Sequence, residues 1–480
     1  MRALALGISL AAAIGCGTSD AVVAPATTPP APVDEPAPPL PSAETGFVEV
    51  PAQPAPGYAV PGRMFYSFHA AESDAGTKPL FVVYNGGPGA ATSAGLVLAG
   101  TGPYRVDLSA PIGAMPVKSA RSLVELGNVL YIDERGTGFS YDLGEQGPCY
   151  FDPVKDAADF LRVILAVIER HPALWKSKLV FFGESYGGLR TMTLVSLLLE
   201  YAEPSARALG LSEIVERWAT RSLGPPGEAP FPPDRLAERI LGLVLIQPLV
   251  LEDQLVHQQR LVAKVPELSK LTPEQDAYDV RRSLTTVNEE IRPRLGAALG
   301  NREASRLVFG VDLDTTNGLA PQERAGARRK SLDPQLDVVL PGVNEALSAR
   351  LGKLDEHDAY HYGAAALCPS DEKTPVTEGA WRRFLLAAQY TRLFITNARY
   401  DAAVHTPAII ETLRARGSSP MFDAAPRPGV ARPGWFSFDL TTDGSPLRVE
   451  VRFPRYEAGH QVPETQGPEV IEDVAAWLAR

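Results

Sequence analysis

Between residues 178 and 200 the chain reads Lys178-Leu179-Val180-Phe181-Phe182-Gly183-Glu184-Ser185-Tyr186-Gly187-Gly188, and continues to Glu200 with leucines and a methionine at buried-helix spacing. An apolar run of strand length that enters Gly-x-Ser-x-Gly and leaves as a helix confines this stretch to strand, tight turn and helix. A serine on such a turn is held with its hydroxyl exposed. The glycines are needed because a β-carbon there would collide with the neighbouring strand and helix. Two readings stand on this stretch alone: a nucleophile elbow, or a strand-to-helix turn that merely uses small residues. The rest of the chain has to decide.

The chain has 480 residues, 45% of them hydrophobic, enough for one large domain with insertions or for two domains. Its net charge is -11, from 57 acidic against 46 basic residues, and no basic run occurs, so nothing supports nucleic-acid binding. Met1-Arg2 leads into an apolar run, Ala3 to Ile14, too short for a stable membrane span. Residues 1–15 therefore read as the signal peptide of an exported protein. Ala13-Ile14-Gly15-Cys16 resembles a bacterial lipobox, in which the cysteine becomes the lipidated first residue; a plain signal peptide is the alternative. On the lipobox reading Cys16 ties the protein to a bacterial membrane, as a cell-envelope lipoprotein facing the periplasm or the cell surface. Residues 16–56 then form a tether, because a stretch such as Ala24-Pro25-Ala26-Thr27-Thr28-Pro29-Pro30-Ala31-Pro32-Val33 cannot bury a core and tends to extend. With Cys16 lipidated, Cys149 and Cys368 remain, either as one disulfide or as two buried thiols.

Residues 57–480 are expected to form the globular domain. Apolar runs predict strands over 79–84, 128–133, 178–182, 241–246, 391–396, 437–440 and 447–453, and helical spacing predicts helices over 154–168, 189–200 and 468–478. Strands that alternate with helices define an α/β class with a mostly parallel, doubly wound sheet. Residues 203–235, rich in proline and glycine, read as a surface excursion. From 251 to about 385 no comparable apolar run occurs, and charged helical patterns predict an inserted, largely helical cap.

A hydroxyl nucleophile needs a base within hydrogen-bond reach and a third group to orient that base. Asp401 follows the strand that ends at Thr396, and His460 follows the last strand in Tyr456-Glu457-Ala458-Gly459-His460-Gln461-Val462-Pro463. Among seven histidines only His460 ends a late strand beside a glycine, with His405 as the residual competitor. Asn85-Gly86-Gly87-Pro88-Gly89, at the end of the first strong strand, lets backbone N–H groups approach a ligand, which suits an oxyanion hole; an ordinary Gly/Pro turn is the alternative. Asp355, His357, Asp358 and His361 lie close in sequence, but a solvated helix face explains that spacing as well, and neither metal nor cofactor is expected.

Taken together, Asn85-Gly86-Gly87-Pro88-Gly89, Ile132-Asp133-Glu134-Arg135-Gly136-Thr137-Gly138-Phe139-Ser140-Tyr141, Gly183-Glu184-Ser185-Tyr186-Gly187-Gly188, Asp401 and Ala458-Gly459-His460-Gln461-Val462-Pro463 resemble the serine carboxypeptidase family. The resemblance covers the chain from roughly residue 60 onward, weakly through the cap. It implies an α/β-hydrolase fold and a peptidase that removes C-terminal residues of peptide substrates. It implies Ser185 as nucleophile, His460 as base, Asp401 as its orienting carboxylate, and the N–H groups of Gly87 and Tyr186 as the oxyanion hole. It also implies that Asn85 and a protonated Glu184 hold the substrate's terminal carboxylate, which favours activity at acid pH. The chain departs from the family pattern at Gly100-Thr101-Gly102-Pro103, where eukaryotic members usually carry a second carboxylate-binding glutamate, and at Ala90, where they carry a cysteine. Asp133-Glu134-Arg135-Gly136-Thr137-Gly138 and Ala398-Arg399-Tyr400-Asp401 also resemble the proline iminopeptidases. Ester hydrolysis or acyl transfer on the same residues is a third reading.

Overall fold

The computed structural model describes residues 38–53, 58–93, 95–107, 109–144, 152–227, 229–251, 254, 294, 297–298, 301–311, 379–398, 401, 404, 406–415, 419–422, 435–442, 445–460 and 462–480. The expected leader, Cys16, Cys149, Cys368, His405 and the cluster at 355–361 lie outside the described residues.

In chain order the strands are β1 (Ala43–Val50), β2 (Gly62–His69), β3 (Leu80–Tyr84), β4 (Tyr104–Arg105), β5 (Val117–Lys118), β6 (Asn128–Ile132), β7 (Tyr141–Asp142), β8 (Leu179–Glu184), β9 (Ile240–Ile246), β10 (Leu393–Ile395), β11 (Asn397–Ala398), β12 (Ser419–Phe422), β13 (Trp435–Thr442), β14 (Ser445–Arg452) and β15 (Arg455–Tyr456). The main sheet runs β1-β2-β6-β3-β8-β9-β10-β14-β13-β12, with β7 paired to β2. Its middle, β6-β3-β8-β9-β10-β14, is parallel throughout, and both margins are antiparallel.

Successive side chains of a strand point to opposite faces, and a parallel sheet has both faces covered. The central strands show this as two cores. Leu80, Val82, Leu179, Phe181, Leu243, Leu245, Leu393 and Ile395 belong to one cluster with α1 (Pro153–Arg170) and α2 (Gly187–Leu199). Their neighbours Phe81, Val83, Val180, Phe182, Val244, Ile246 and Phe394 belong to the other, closed by Trp477 of the helix Val462–Leu478. α1 starts where Asp152 accepts the N–H groups of Val154 and Lys155 at 2.8 and 3.0 Å, with Pro153 in its first turn. The mostly parallel, doubly wound sheet is the one the strand-helix alternation indicated, and the fold is that of an α/β hydrolase, as the resemblance implied.

Two expectations need correction. The strand β1 falls inside the stretch 16–56 expected as tether: Phe47, Val48 and Val50 are buried and Phe47 pairs in register with Phe65 of β2, so apolar alternation outweighs the surrounding prolines. Residues 203–235 are not a surface excursion. They form the helices Pro204–Ala208, Ser212–Leu223 and Pro233–Ala237, and bury Val215, Trp218, Phe231 and Leu236 in the main core, the prolines serving as helix starts. Most of the expected cap, about 251–385, lies outside the described residues. Its described parts join the body: in the helix Arg302–Phe309 the ring of Phe309 packs edge-on to Phe65, 6.2 Å between centroids, and the helix Ala380–Tyr390 buries Phe384 and Ala387 in the core shared with α2.

Candidate active site

Asn85, Gly87, Glu184, Ser185, Tyr186, Asp401 and His460 all lie at or after the carboxyl ends of parallel strands. Asn85 and Gly87 follow β3; Glu184 ends β8, with Ser185 and Tyr186 next; Asp401 follows β10 and its extension β11; His460 follows β14 and β15. The strands β3, β8, β9, β10 and β14 are neighbours in the sheet, so the four loops lie along one edge, where α/β sheets place their ligands.

Ser185 has φ +55°, in the left-handed region that costs a side-chain-bearing residue about 1–3 kcal/mol unless its surroundings impose it. The backbone does impose it. Ser185 N–H donates to the Ile246 carbonyl at 2.8 Å, and the Ser185 carbonyl accepts from Gly188 and Leu249 N–H at 2.9 and 3.0 Å. A β-carbon on Gly183 would stand 2.5 Å from the Gly187 carbonyl oxygen and 2.7 Å from the Thr191 hydroxyl, so that position must be glycine. The loop after β3 comes equally close: a β-carbon on Gly86 would lie 2.5 Å from the Tyr186 nitrogen. Gly87, next in the chain, has φ +110°.

On the far side of the elbow, Asp401 Oδ2 and His460 Nδ1 are 2.9 Å apart. Asp401 is fully buried and its other oxygen accepts the Val404 N–H at 3.0 Å. Burial, the largest single influence, pushes the Asp401 carboxyl up, but His460 and the donors Gln247 and Val404 together hold it below the usual aspartate range. An imidazole held through Nδ1 by an ionised carboxylate takes up a proton at Nε2.

Asn85 and Glu184 are brought together as a buried pair, the Asn85 amide Nδ2 donating to Glu184 Oε2. Asn85 Oδ1 accepts the Leu96 N–H at 2.9 Å, which fixes the amide's orientation. Burial pushes the Glu184 carboxyl up to about 7, with His460 pulling it down and Asp401 pushing it further up. Near neutrality Glu184 therefore exchanges its proton, and below that it is a hydrogen-bond donor.

Beneath these loops lies a buried ion cluster that no motif pointed to. Arg190 of α2 donates through Nε to Asp156 of α1 at 2.7 Å, through Nη2 to Glu134 at 2.5 Å and through Nη1 to the Asn85 carbonyl at 2.5 Å. Its guanidinium also lies 4.3 Å from the centroid of Phe160 and 5.1 Å from that of Tyr186. Burial alone would strip its charge, but Asp156 and Glu134 keep it firmly protonated. Glu134 in turn accepts the Gly89 N–H at 2.8 Å, and Asp133 accepts the Ser93 N–H and hydroxyl, both at 2.8 Å. The carboxylates of the Asp133-Glu134 stretch thus pin the glycine-rich loop after β3. An arginine, Arg190, near the start of the helix predicted over 189–200 was the one available sequence signal. Gln247, after β9, was missed as well: its Nε2 donates to Asp401 Oδ2 at 2.7 Å. Among the described residues no group of three or more His, Cys, Asp or Glu side chains could hold a metal ion.

An α/β hydrolase with a serine on a strained elbow and a carboxylate-bound histidine along the same sheet edge is the class that fold and site define. The family model described as serine carboxypeptidase matches residues 38–211, which include Asn85, Gly87, Glu184, Ser185 and Tyr186 but neither Asp401 nor His460. Serine carboxypeptidase-like 16 of Arabidopsis thaliana is 31% identical over 182 residues, 36% of this chain and 40% of the relative. Carboxypeptidase sxa2 of Schizosaccharomyces pombe is 32% identical over 146 residues, 30% of this chain and 26% of the relative. The matches thus span well under half the length of these curated relatives. Kex1Δp, a prohormone-processing carboxypeptidase from Saccharomyces cerevisiae, superposes with a TM-score of 0.52 at 14% identity over 91% of both chains, a likeness of fold. The chain is similar to the serine carboxypeptidases over residues 38–211, and its fold is that of an α/β hydrolase.

Removing the cation from the buried cluster would leave two carboxylates uncompensated, at a cost of about 3–5 kcal/mol. Arg190→Leu is therefore expected to lower the unfolding free energy by that amount in urea titrations, whereas a loss under about 1 kcal/mol would show that the cluster contributes little.

Proposed function

We propose that this protein is a serine-type carboxypeptidase that removes residues from the C-terminal end of peptides through an acyl-enzyme on Ser185. The observation that carries the reading is the buried Asn85–Glu184 pair, Glu184 standing directly before Ser185, with a carboxyl that burial pushes up to about 7. In this reading Asn85 and protonated Glu184 donate to the substrate's terminal carboxylate, setting the last peptide bond over the elbow. His460 takes the Ser185 proton as the oxygen attacks the carbonyl, and Asp401 stabilises the imidazolium that forms. The developing oxyanion is met by the N–H groups of Gly87 and Tyr186. The released amino acid leaves with the proton from His460, and water, activated by the same histidine, then frees Ser185.

We further propose that the chain is exported and anchored at a bacterial cell envelope through lipid on Cys16, with the proline-rich stretch ahead of residue 38 as tether. The Ala13-Ile14-Gly15-Cys16 sequence supports this. Cys16→Ser is expected to move the protein from the detergent phase to the aqueous phase of a membrane extract; a wild type already found in the aqueous phase would contradict the anchor.

The proton on Glu184 fixes a pH dependence. Above a pH of about 7 the ionised carboxylate faces the substrate carboxylate, so kcat/KM on a peptide with a free C-terminus is expected to fall as pH rises through that value. Glu184→Gln keeps a donor and is expected to abolish that limb, and on the same peptide amidated the wild type should lack it. Ser185→Ala sets the background, expected to lie roughly 10⁴-fold or more below wild type. An identical limb in both substrates and both proteins would contradict carboxylate recognition by Glu184.

A further inference from the structure

Gln247 is buried directly after β9, at φ +45°, a backbone region that residues with a side chain rarely occupy. The orientation of its amide follows from its partners. Oε1 accepts from the Ala398 backbone N–H at 2.9 Å and from the Thr396 hydroxyl at 2.9 Å. A backbone N–H can only donate, so the oxygen must face Ala398 and the NH₂ group must face the other way. The Gln247 backbone N–H donates to the same Thr396 hydroxyl at 2.8 Å, which turns the hydroxyl hydrogen toward Oε1. Both hydrogens of Nε2 are thereby committed, one to Asp401 Oδ2 at 2.7 Å and the other to the Thr406 hydroxyl at 2.8 Å.

The consequence falls on Asp401. Its Oδ2 receives Gln247 Nε2 on one side and His460 Nδ1 at 2.9 Å on the other, while Oδ1 is held by the Val404 N–H. A carboxylate with three fixed donors cannot rotate away from the imidazole. The amide also withdraws electron density from the oxygen that the imidazole uses. We propose that Gln247 is a positioning residue: it fixes the carboxylate plane of Asp401 and weakens the hold of Asp401 on protonated His460, so that the histidine is neutral and ready to act as base at lower pH. This rests on the reading of Ser185, His460 and Asp401 as the catalytic set. Three surfaces converge on the amide, from β9, from the Thr396–Ala398 turn and from Thr406. That convergence offsets the backbone strain expected at such a φ.

The titratable groups facing the pair are Glu184 from the end of β8 and, within the pair, Asp401 and His460. To remove the contribution of Glu184, the assay uses an N-blocked peptide ester, which has no terminal carboxylate. Ser185 is titrated in parallel with a fluorophosphonate, which reads the fraction of competent serine. For Gln247→Leu the expected result is a kcat lower by roughly 10- to 100-fold with KM changed by less than about 3-fold. The acid limb of kcat/KM should move upward by about half a pH unit or more, because a less neutralised Asp401 binds imidazolium more tightly. Gln247→Glu keeps the acceptor for Ala398 and, protonated, the donor to Asp401. It is expected to work at acid pH and to lose activity as the pH rises, where the wild type on the same ester does not.

A folded Gln247→Leu with wild-type kcat, or one that loses kcat with its acid limb unmoved, overturns the positioning role. Should Gln247→Leu not fold, a wild-type profile for Gln247→Glu overturns it equally. If the fluorophosphonate fails to modify Ser185 in the wild type, the catalytic set itself is wrong, an outcome distinct from both.

Discussion

The protonated guanidinium of Arg190, buried between Asp156 and Glu134, is the interaction on which the site depends. An unpaired charge inside a protein is prohibitively costly, so the three groups can exist there only together. Each belongs to a different element: Asp156 to α1, Arg190 to the helix leaving the elbow, Glu134 to the loop after β6. Their geometry therefore sets the spacing of helix and loops. The remaining Nη1 donor reaches the Asn85 carbonyl, and Glu134 reaches Gly89, so the same cluster holds the glycine-rich loop against the elbow from both ends. The close approach of Gly86 to Tyr186 is a result of that hold.

Above this base the site separates three carboxyl groups by environment. Asp401 is surrounded by donors and is kept ionised despite burial. Glu184 has one fixed donor, the Asn85 amide, and burial wins, which leaves it protonated well above the usual glutamate range. Asp133 is also pushed up by burial, to about 6, with the Ser93 and Phe139 N–H groups opposing, and acts as a clamp on the loop. The charge of His460 beside Asp401, more than the number of donors, separates the carboxyl that works as an anion from those that burial pushes up.

Much of this was legible in the chain itself. The β8 run, the Gly-x-Ser-x-Gly turn and the late placement of Asp401 and His460 were readable because each depends on local pattern, a continuous apolar run followed by a turn. Residues 203–235 were misread because proline and glycine were weighed as loop formers, although Pro204 and Pro233 occupy first turns of helices and Trp218 sits five positions from Leu223 in an amphipathic one. The strand Ala43–Val50 was hidden by the prolines around it. Arg190 and Gln247 were invisible for a different reason: their partners lie 34 to 154 positions away in sequence, and no local spacing encodes a contact between α1 and α2 or between β9 and Asp401.

The central claim, that the site reads a peptide's C-terminus, is tested most directly by digesting a mixed pool of free-ended and amidated peptides with the purified domain and following the products by mass spectrometry. The account predicts ladders that shorten from the C-terminal end of free-ended peptides, with amidated ones degraded far more slowly. Shortening from the N-terminal end, or equal digestion of amidated peptides, would contradict it.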